Sequence, residues 1–169
     1  MAQPQVPNDA ELAARVAQLA AALLERGWVM TTAESCTGGW IAKVCTDRAG
    51  SSAWFESGVV SYSNRAKSAM LGVAESVLAR AGAVSEAVAL AMADGARRAT
   101  GAEAAVAVTG IAGPEGGSAV KPVGTVWFGW CVGQRPAEAE CVVFAGDREA
   151  VRRQTVAHAL EGLLQRLAP

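Results

Sequence analysis

The sequence predicts a single α/β domain with a mixed sheet. Its 169 residues suit one domain, and a composition of 51% apolar and 18% charged residues with 18 glycines favours a packed core with tight turns. Segments with helical spacing alternate with short apolar strands, until two strands near the C-terminal end follow each other across a turn. We expect one domain over residues 1–169, with residues 1–8 flexible.

The first predicted helix begins at Asn8 or Asp9, either of which can cap it, and ends at Gly27. Its apolar residues recur at helical intervals: Leu12, Val16, Leu19 and Leu23. The segment WVMTTAE is then typical of a strand, and a glycine pair leads from it into a second helix. We therefore expect the segment ESCTGG to form a strand-to-helix turn.

The middle of the chain predicts a strand followed by helices. Residues 55–62 are β-like, and Asn64 can cap a helix that carries Lys67. Ser85 begins a further helix that ends near Gly101.

The C-terminal part predicts three strands and a last helix. AAVAVTG is an apolar strand of the kind buried on both faces, and it runs directly into a glycine-rich loop. Strands near 125–132 and 140–144 flank a hairpin-type turn, which makes the sheet mixed rather than wholly parallel. Asp147 caps the last helix, whose apolar stripe leaves His158 on another face.

Composition argues against several classes of function. The net charge is −1, and the 15 Lys and Arg residues are scattered among 16 acids, so we expect no nucleic-acid partner. No stretch approaches the ~20 apolar residues that span a bilayer, and no signal peptide is recognisable, so we expect a cytoplasmic protein without a membrane partner. The cysteines form no CxxC pair, and we expect reduced, mostly buried thiols: Cys36, Cys45, Cys131 and Cys141.

The sequence argues against a catalytic site based on histidine or on a metal. His158 is the only histidine, and its position off the apolar stripe favours a partly covered surface residue over a catalytic one. One histidine and dispersed cysteines also make a poor metal site, so we expect no metal. A hydroxyl nucleophile with a lysine or tyrosine as proton acceptor remains, and residues 50–67 contain every part needed: Ser51, Ser52, Tyr62 and Lys67. These residue types are common, so the pattern alone does not assign their roles.

Two further segments can contact a ligand. In TAESCTGG, backbone N–H groups beside Ser35 and Thr37 can form an anion cradle or an ordinary helix cap, and Cys36 is a rival nucleophile. In TGIAGPEGG, the N–H groups around Thr109 and Gly110 can form an oxyanion hole, or the segment is a flexible surface loop.

The start of the last helix is unusually basic. Arg148, Arg152 and Arg153 lie in its first turns, where the helix dipole disfavours cations unless an anion is near. A bound anionic ligand or acidic neighbours can supply that charge.

Four segments together resemble the CinA C-terminal family, the nicotinamide-nucleotide amidohydrolases. They are TAESCTGGWIAKVCTDRAGSSAWFESGVVSYSNRAK, GAVSEAVA, AVTGIAGPEGGSAVKPVGTVWF and GDREAVRR. Each segment alone is weak evidence for the family, but the order and spacing of all four are specific. The resemblance extends from about Glu11 to Leu167.

The resemblance implies an α/β/α layered domain that hydrolyses nicotinamide mononucleotide to nicotinate mononucleotide and ammonia, without metal or cofactor. Matched residue by residue, it makes Ser52 the nucleophile, Lys67 the base and Tyr62 an aid to proton transfer. Thr109 matches a threonine beside the reacting amide, and Arg148 an arginine that recognises the nucleotide. The expected substrate-binding residues are Ser35, Thr37, Gly38, Gly50, Thr109, Gly110 and Arg148.

A pyridine-nucleotide-binding regulatory domain without catalysis is the alternative function, and a scaffold without any ligand is a third. Release of ammonia from nicotinamide mononucleotide separates the first two, and a ligand-induced change in melting temperature tests the third. The sequence is compatible with a monomer and with a homo-oligomer.

Overall fold

A computed structural model describes residues 5–168. The helices are α1 (Asp9–Arg26), α2 (Trp40–Thr46), α3 (Asn64–Leu71), α4 (Glu75–Ala81), α5 (Glu86–Thr100) and α6 (Arg148–Leu167). The strands are β1 (Met30–Glu34), β2 (Phe55–Val60), β3 (Ala104–Gly110), β4 (Thr125–Val132) and β5 (Glu138–Val143), and Ser51–Ala53 form a single 3-10 turn before β2.

The five strands form one sheet in the order β2-β1-β3-β4-β5. Strand β1 is parallel to both of its neighbours, whereas β4 is antiparallel to β3 and to β5. The expectation of a mixed sheet is confirmed. Because β1, β2 and β3 run in the same direction, their carboxyl ends meet at one edge of the sheet.

Helices cover both faces of the sheet, which confirms the α/β/α layering. One core cluster lies under α1, α2 and α6, and the other under α3, α4 and α5. Successive residues of a strand point to opposite faces. In β3, Val106 and Val108 belong to the first cluster, and Ala105 and Ala107 belong to the second.

Most of the expected helix ends are confirmed. The Asn8 side chain caps α1, Gly27 ends it in a left-handed conformation, and Ser85 and Asp147 cap α5 and α6. The side chain that caps α3 is Ser63, so the expectation for Asn64 was wrong by one residue.

The N-terminal segment is only partly covered by the structure. Residues 1–4 of the segment expected to be flexible lie outside the described residues. Within the rest, Pro7 is buried and its carbonyl lies within hydrogen-bond reach of Arg153. Among residues 5–168, no helix is both long and apolar enough to cross a membrane.

Helix α5 approaches its neighbours closely because it carries and faces small residues. The backbone of α5 lies directly over Gly129 of β4, where a Cβ would meet the Ala89 carbonyl oxygen at 2.4 Å. Within α5, a Cβ on Gly95 would lie 1.9 Å from the carbonyl oxygen of Leu71, at the end of α3. This contact fixes α3, and therefore Lys67, relative to α5.

Replacing Gly95 by alanine should destabilise the fold. Helix propensity alone predicts a gain of about 1 kcal/mol for this change, whereas the clash with the Leu71 backbone predicts a loss of roughly 1–3 kcal/mol. Urea denaturation measures the sign of the difference. Arg98→Ala, an exposed change on the same helix, serves as the control and should alter stability by less than about 0.5 kcal/mol. A stabilised Gly95→Ala variant would show that α3 does not press on α5 here.

Candidate active site

A cavity of about 190 Å³ lies at the edge where the parallel strands end. The residues that line it come from the ends of β1, β2 and β3 and from the loops and helices that follow. They are Ser35, Cys36, Tyr62, Lys67, Ala83, Val84, Thr109, Gly110, Ala112 and Arg148. Six of the residues expected at the site thus line one cavity: Ser35, Tyr62, Lys67, Thr109, Gly110 and Arg148.

Lys67 is the central group of this cavity. Ser63 caps α3 by accepting a hydrogen bond from the Ala66 N–H, and Lys67 follows in the first turn. The Lys67 side chain is 1% exposed. Its Nζ donates to Ser35 Oγ at 2.9 Å, to the Ser61 carbonyl at 2.9 Å and to the Tyr62 carbonyl at 3.0 Å.

All three acceptors of Lys67 are neutral, so they do not compensate the charge of the ammonium form. Burial disfavours that charged form and lowers the pKa of Lys67 from its ordinary value of 10.5. A lysine in this environment can act as a proton acceptor nearer to neutral pH.

The hydroxyl next to Lys67 is that of Ser35, not that of Ser52. Ser52 is exposed in the 3-10 turn before β2, whereas Lys67 lies beyond the other end of that strand. The six residues of β2 correspond to about 20 Å of extended chain. The expected contact between Ser52 and Lys67 is therefore not formed within one chain, and Gly50, beside Ser52, is equally remote from the cavity.

The other predicted residues contribute in different ways. Tyr62 is 63% exposed at the rim, and only its carbonyl contacts Lys67. The Thr109 hydroxyl is buried and donates to the Ala83 carbonyl at 2.8 Å, which ties the end of β3 to the loop before α5. Arg148 is exposed and donates to the Gly113 carbonyl at 2.8 Å, which places a cation at the cavity.

The chain's own carboxylate caps the helix that follows the strand-to-helix turn. Glu34, which is 1% exposed, accepts hydrogen bonds from the N–H groups of Ile41 at 2.8 Å and Ala42 at 2.9 Å. It also accepts one from the Thr37 hydroxyl at 2.6 Å. Thr37 is thus buried in a structural contact, and Gly38 lies outside the cavity. This is the helix-cap alternative for the segment, with a side chain from the preceding strand as the cap.

Cys36 borders the cavity but is poorly suited to be a nucleophile. It is 6% exposed, and burial raises the pKa of its thiol to about 12. A thiol in this state carries almost no thiolate at neutral pH, so the interpretation of Cys36 as a rival to serine loses its basis. Three of the four free cysteines are buried, as expected, and Cys141 is exposed.

His158 lies outside the cavity. Its ring packs against Phe128, with centroids 4.6 Å apart, and its Nε2 lies 3.3 Å from the Glu140 carboxylate. This agrees with a partly covered surface residue. Across residues 5–168, no group of three or more His, Cys, Asp or Glu side chains could hold a metal ion.

A family model described as the CinA C-terminal domain matches residues 12–167. This chain belongs to the CinA C-terminal domain family. Its membership confirms the resemblance inferred from the four sequence segments.

Named relatives within the CinA C-terminal domain family are similar over nearly the whole chain. A nicotinamide-nucleotide amidohydrolase of Escherichia coli K12 is 57% identical over 160 residues, which cover 94% of this chain and 96% of the relative. A protein of the same name from Pseudomonas putida is 60% identical over 136 residues, covering 80% and 84%. A solved competence/damage inducible protein from Agrobacterium tumefaciens superposes with a TM-score of 0.90 at 42% identity, covering 98% of both chains.

Sequence reasoning missed Glu34 and the carbonyl acceptors of Lys67. A buried acid at the end of an apolar strand, a few residues before a helix, was the available signal for Glu34. The carbonyls of Ser61 and Tyr62 carry no signal, because every residue supplies a carbonyl and only the folded path of the backbone decides which ones converge.

Proposed function

We propose that this chain is a nicotinamide-nucleotide amidohydrolase that converts nicotinamide mononucleotide to nicotinate mononucleotide and ammonia. Its family and its 57% identity to a relative of that name support the activity. The observation on this chain that carries the proposal is the buried Lys67 amine, 2.9 Å from the Ser35 hydroxyl at the wall of a cavity.

Within one chain, the geometry favours Ser35 over Ser52 as the nucleophile. Neutral Lys67 accepts the proton of Ser35 while Oγ attacks the carboxamide carbon, and a tetrahedral intermediate forms. Lys67 then gives this proton to the departing nitrogen, which leaves as ammonia and breaks the C–N bond. Water, deprotonated by the same amine, hydrolyses the resulting ester, which releases the carboxylate product and restores Ser35.

The remaining cavity residues have proposed roles in binding and charge stabilisation. N–H groups at the end of β3, around Thr109 and Gly110, would face the oxyanion, and the exposed Tyr62 side chain would cover the ring or assist proton transfer. The cavity volume of about 190 Å³ is below the roughly 300 Å³ at which typical ligand pockets begin, so it suits the nicotinamide end of the substrate. Arg148 would contact the polar remainder.

The four free cysteines agree with a reducing compartment, and we propose that the reaction takes place in the cytoplasm.

Purified protein should release ammonia from nicotinamide mononucleotide. A coupled ammonia assay measures it, with nicotinamide riboside and free nicotinamide as comparison substrates that lack the phosphate or the whole sugar phosphate. Binding of nicotinamide mononucleotide, seen as a rise in melting temperature, without any ammonia release would instead indicate the regulatory domain.

Ser35→Ala should lower kcat by roughly 10³-fold or more, because it removes the hydroxyl that accepts a hydrogen bond from Lys67. Ser52→Ala, the matched control, should keep kcat within about threefold. Steady-state kinetics with nicotinamide mononucleotide decides between them. The reverse result would assign the nucleophile to Ser52, and Ser52 would then have to reach Lys67 from another copy of the chain.

The value of kcat/KM should rise with pH through the pKa of Lys67, which lies below 10.5 because burial disfavours the ammonium form. Only the neutral amine can accept a proton, so activity is lost as pH falls through this pKa. Lys67→Arg should lower kcat by roughly 10²-fold or more, since guanidinium does not deprotonate.

Two further variants complete the Lys67 experiment. Lys67→Met tests the same loss without a buried charge, and Lys43→Arg, at an exposed lysine paired with Asp47, should change nothing. Near-native kcat in Lys67→Arg or Lys67→Met would exclude lysine as the base.

A further inference from the structure

The five residues from Ser35 to Gly39 form the turn between β1 and α2, which we call the Ser35 turn. Ser35 has left the strand ladder, apart from its N–H, which donates to the Val108 carbonyl at 3.1 Å. The position of Ser35 Oγ relative to Lys67 therefore depends on what holds the rest of this turn. Two charged side chains contact it, and neither lines the cavity.

The first is Glu34, the residue directly before the turn. Its Oε1 accepts from the Thr37 hydroxyl and from the Ile41 N–H, and its Oε2 accepts from the Ala42 N–H. One buried carboxylate thus joins the start of the Ser35 turn to its middle and to the first turn of α2.

The second is Arg152, which α6 places beside the turn. Its Nε donates to the Cys36 carbonyl at 3.0 Å, and its Nη2 donates to the Thr37 carbonyl at 2.9 Å. The planar guanidinium binds two successive carbonyls, which fixes the direction of the backbone directly after Ser35. Its carbon also lies 5.2 Å from the centre of the Trp40 ring.

We propose that Glu34 and Arg152 are positioning residues for amide hydrolysis, which bind different groups of the Ser35 turn and together hold Ser35 Oγ at Lys67. This inference rests on the proposed function with Ser35 as nucleophile. Displacement of a reacting group by about 1 Å can cost roughly 10²-fold in rate, so a turn that keeps only one of these two sets of contacts loses catalysis before it loses the fold.

Two substitutions test the proposal. Glu34→Gln keeps the shape of the side chain but turns an amide NH2 towards an N–H donor, and Arg152→Met removes both donors to the turn. Each should lower kcat roughly 10-fold to 100-fold and change KM less than about threefold, because neither residue lines the cavity. Displaced Ser35 also ceases to be an acceptor for the Lys67 ammonium, so the midpoint of the kcat/KM profile should move to lower pH.

Arg153→Met is the matched control. Arg153 is the next residue, also lies over Trp40, and forms ion pairs with Asp9 and Glu149, but it donates its hydrogen bonds to these acids and to Pro7 rather than to the Ser35 turn. This variant should keep kcat within about twofold and leave the pH midpoint unchanged. Melting temperatures well above the assay temperature show that each variant is folded, and if Glu34→Gln does not fold, Arg152→Met decides alone.

The outcomes separate the two proposals. If Ser35→Ala is inactive while Glu34→Gln and Arg152→Met retain kcat within about threefold, the positioning role is overturned and the proposed function stands. Loss of kcat with an unmoved pH midpoint also overturns the positioning role, since Ser35 has then stayed at Lys67. If Ser35→Ala itself retains activity, Ser35 is not the nucleophile, and that part of the proposed function fails together with this inference.

Discussion

The site depends on a lysine amine that is buried and that, among residues 5–168, has no acidic partner. Lys67 is 1% exposed and has only neutral acceptors, so the folded state disfavours its charged form. The unfolded chain binds this proton more tightly than the folded chain does, because the folded pKa is lowered. Stability therefore increases as pH rises from the folded pKa of Lys67 towards 10.5, and at neutral pH the fold gives up part of this stability.

The parallel half of the sheet explains how a lysine can be held in this way. The acceptors of Lys67 come from two neighbouring strand ends, because Ser35 follows β1 while Ser61 and Tyr62 follow β2. The close contact between Gly95 and the Leu71 carbonyl fixes α3 on the other side of the amine. A sheet edge, rather than a flexible loop, thus determines where the amine lies.

The helices and strands that a local sequence pattern indicates were predicted well. Helical spacing identified α1, α5 and α6, and the apolar segments identified β3 and β4 with the bounds that the structure shows. Helix α4 was missed because it has seven residues and no side-chain cap at Ala74. Short helices of this kind are held by packing, here through buried Leu78, and packing is not visible in a local pattern.

Prediction of the site was limited because distance along the sequence does not give distance in the folded chain. Lys67, Tyr62, Thr109 and Arg148 were expected at one site, and the structure brings them to one cavity. Ser52 is nearer to Lys67 in sequence than Ser35 is. Strand β2 lies between Ser52 and Lys67, however, so Ser52 precedes the amino end of this strand and Lys67 follows its carboxyl end. The role of Ser52 therefore stays a prediction from family resemblance, whereas the hydrogen bond between Ser35 and Lys67 is seen in the structure.

Strand geometry also explains why a buried carboxylate and a buried amine lie near each other without forming an ion pair. Successive residues point to opposite faces, so Glu34 faces α2 together with Thr32, while Ser35 reaches the α3 side. The Glu34 carboxylate is occupied by donors of α2 and of Thr37. Had Glu34 faced Lys67, the ion pair would have favoured the ammonium and raised its pKa, and the amine could not have acted as a base. A shift of one residue in the register of β1 would exchange these two faces. The alternation of side chains along β1 therefore points the Glu34 carboxylate, which holds the Ser35 turn, away from Lys67.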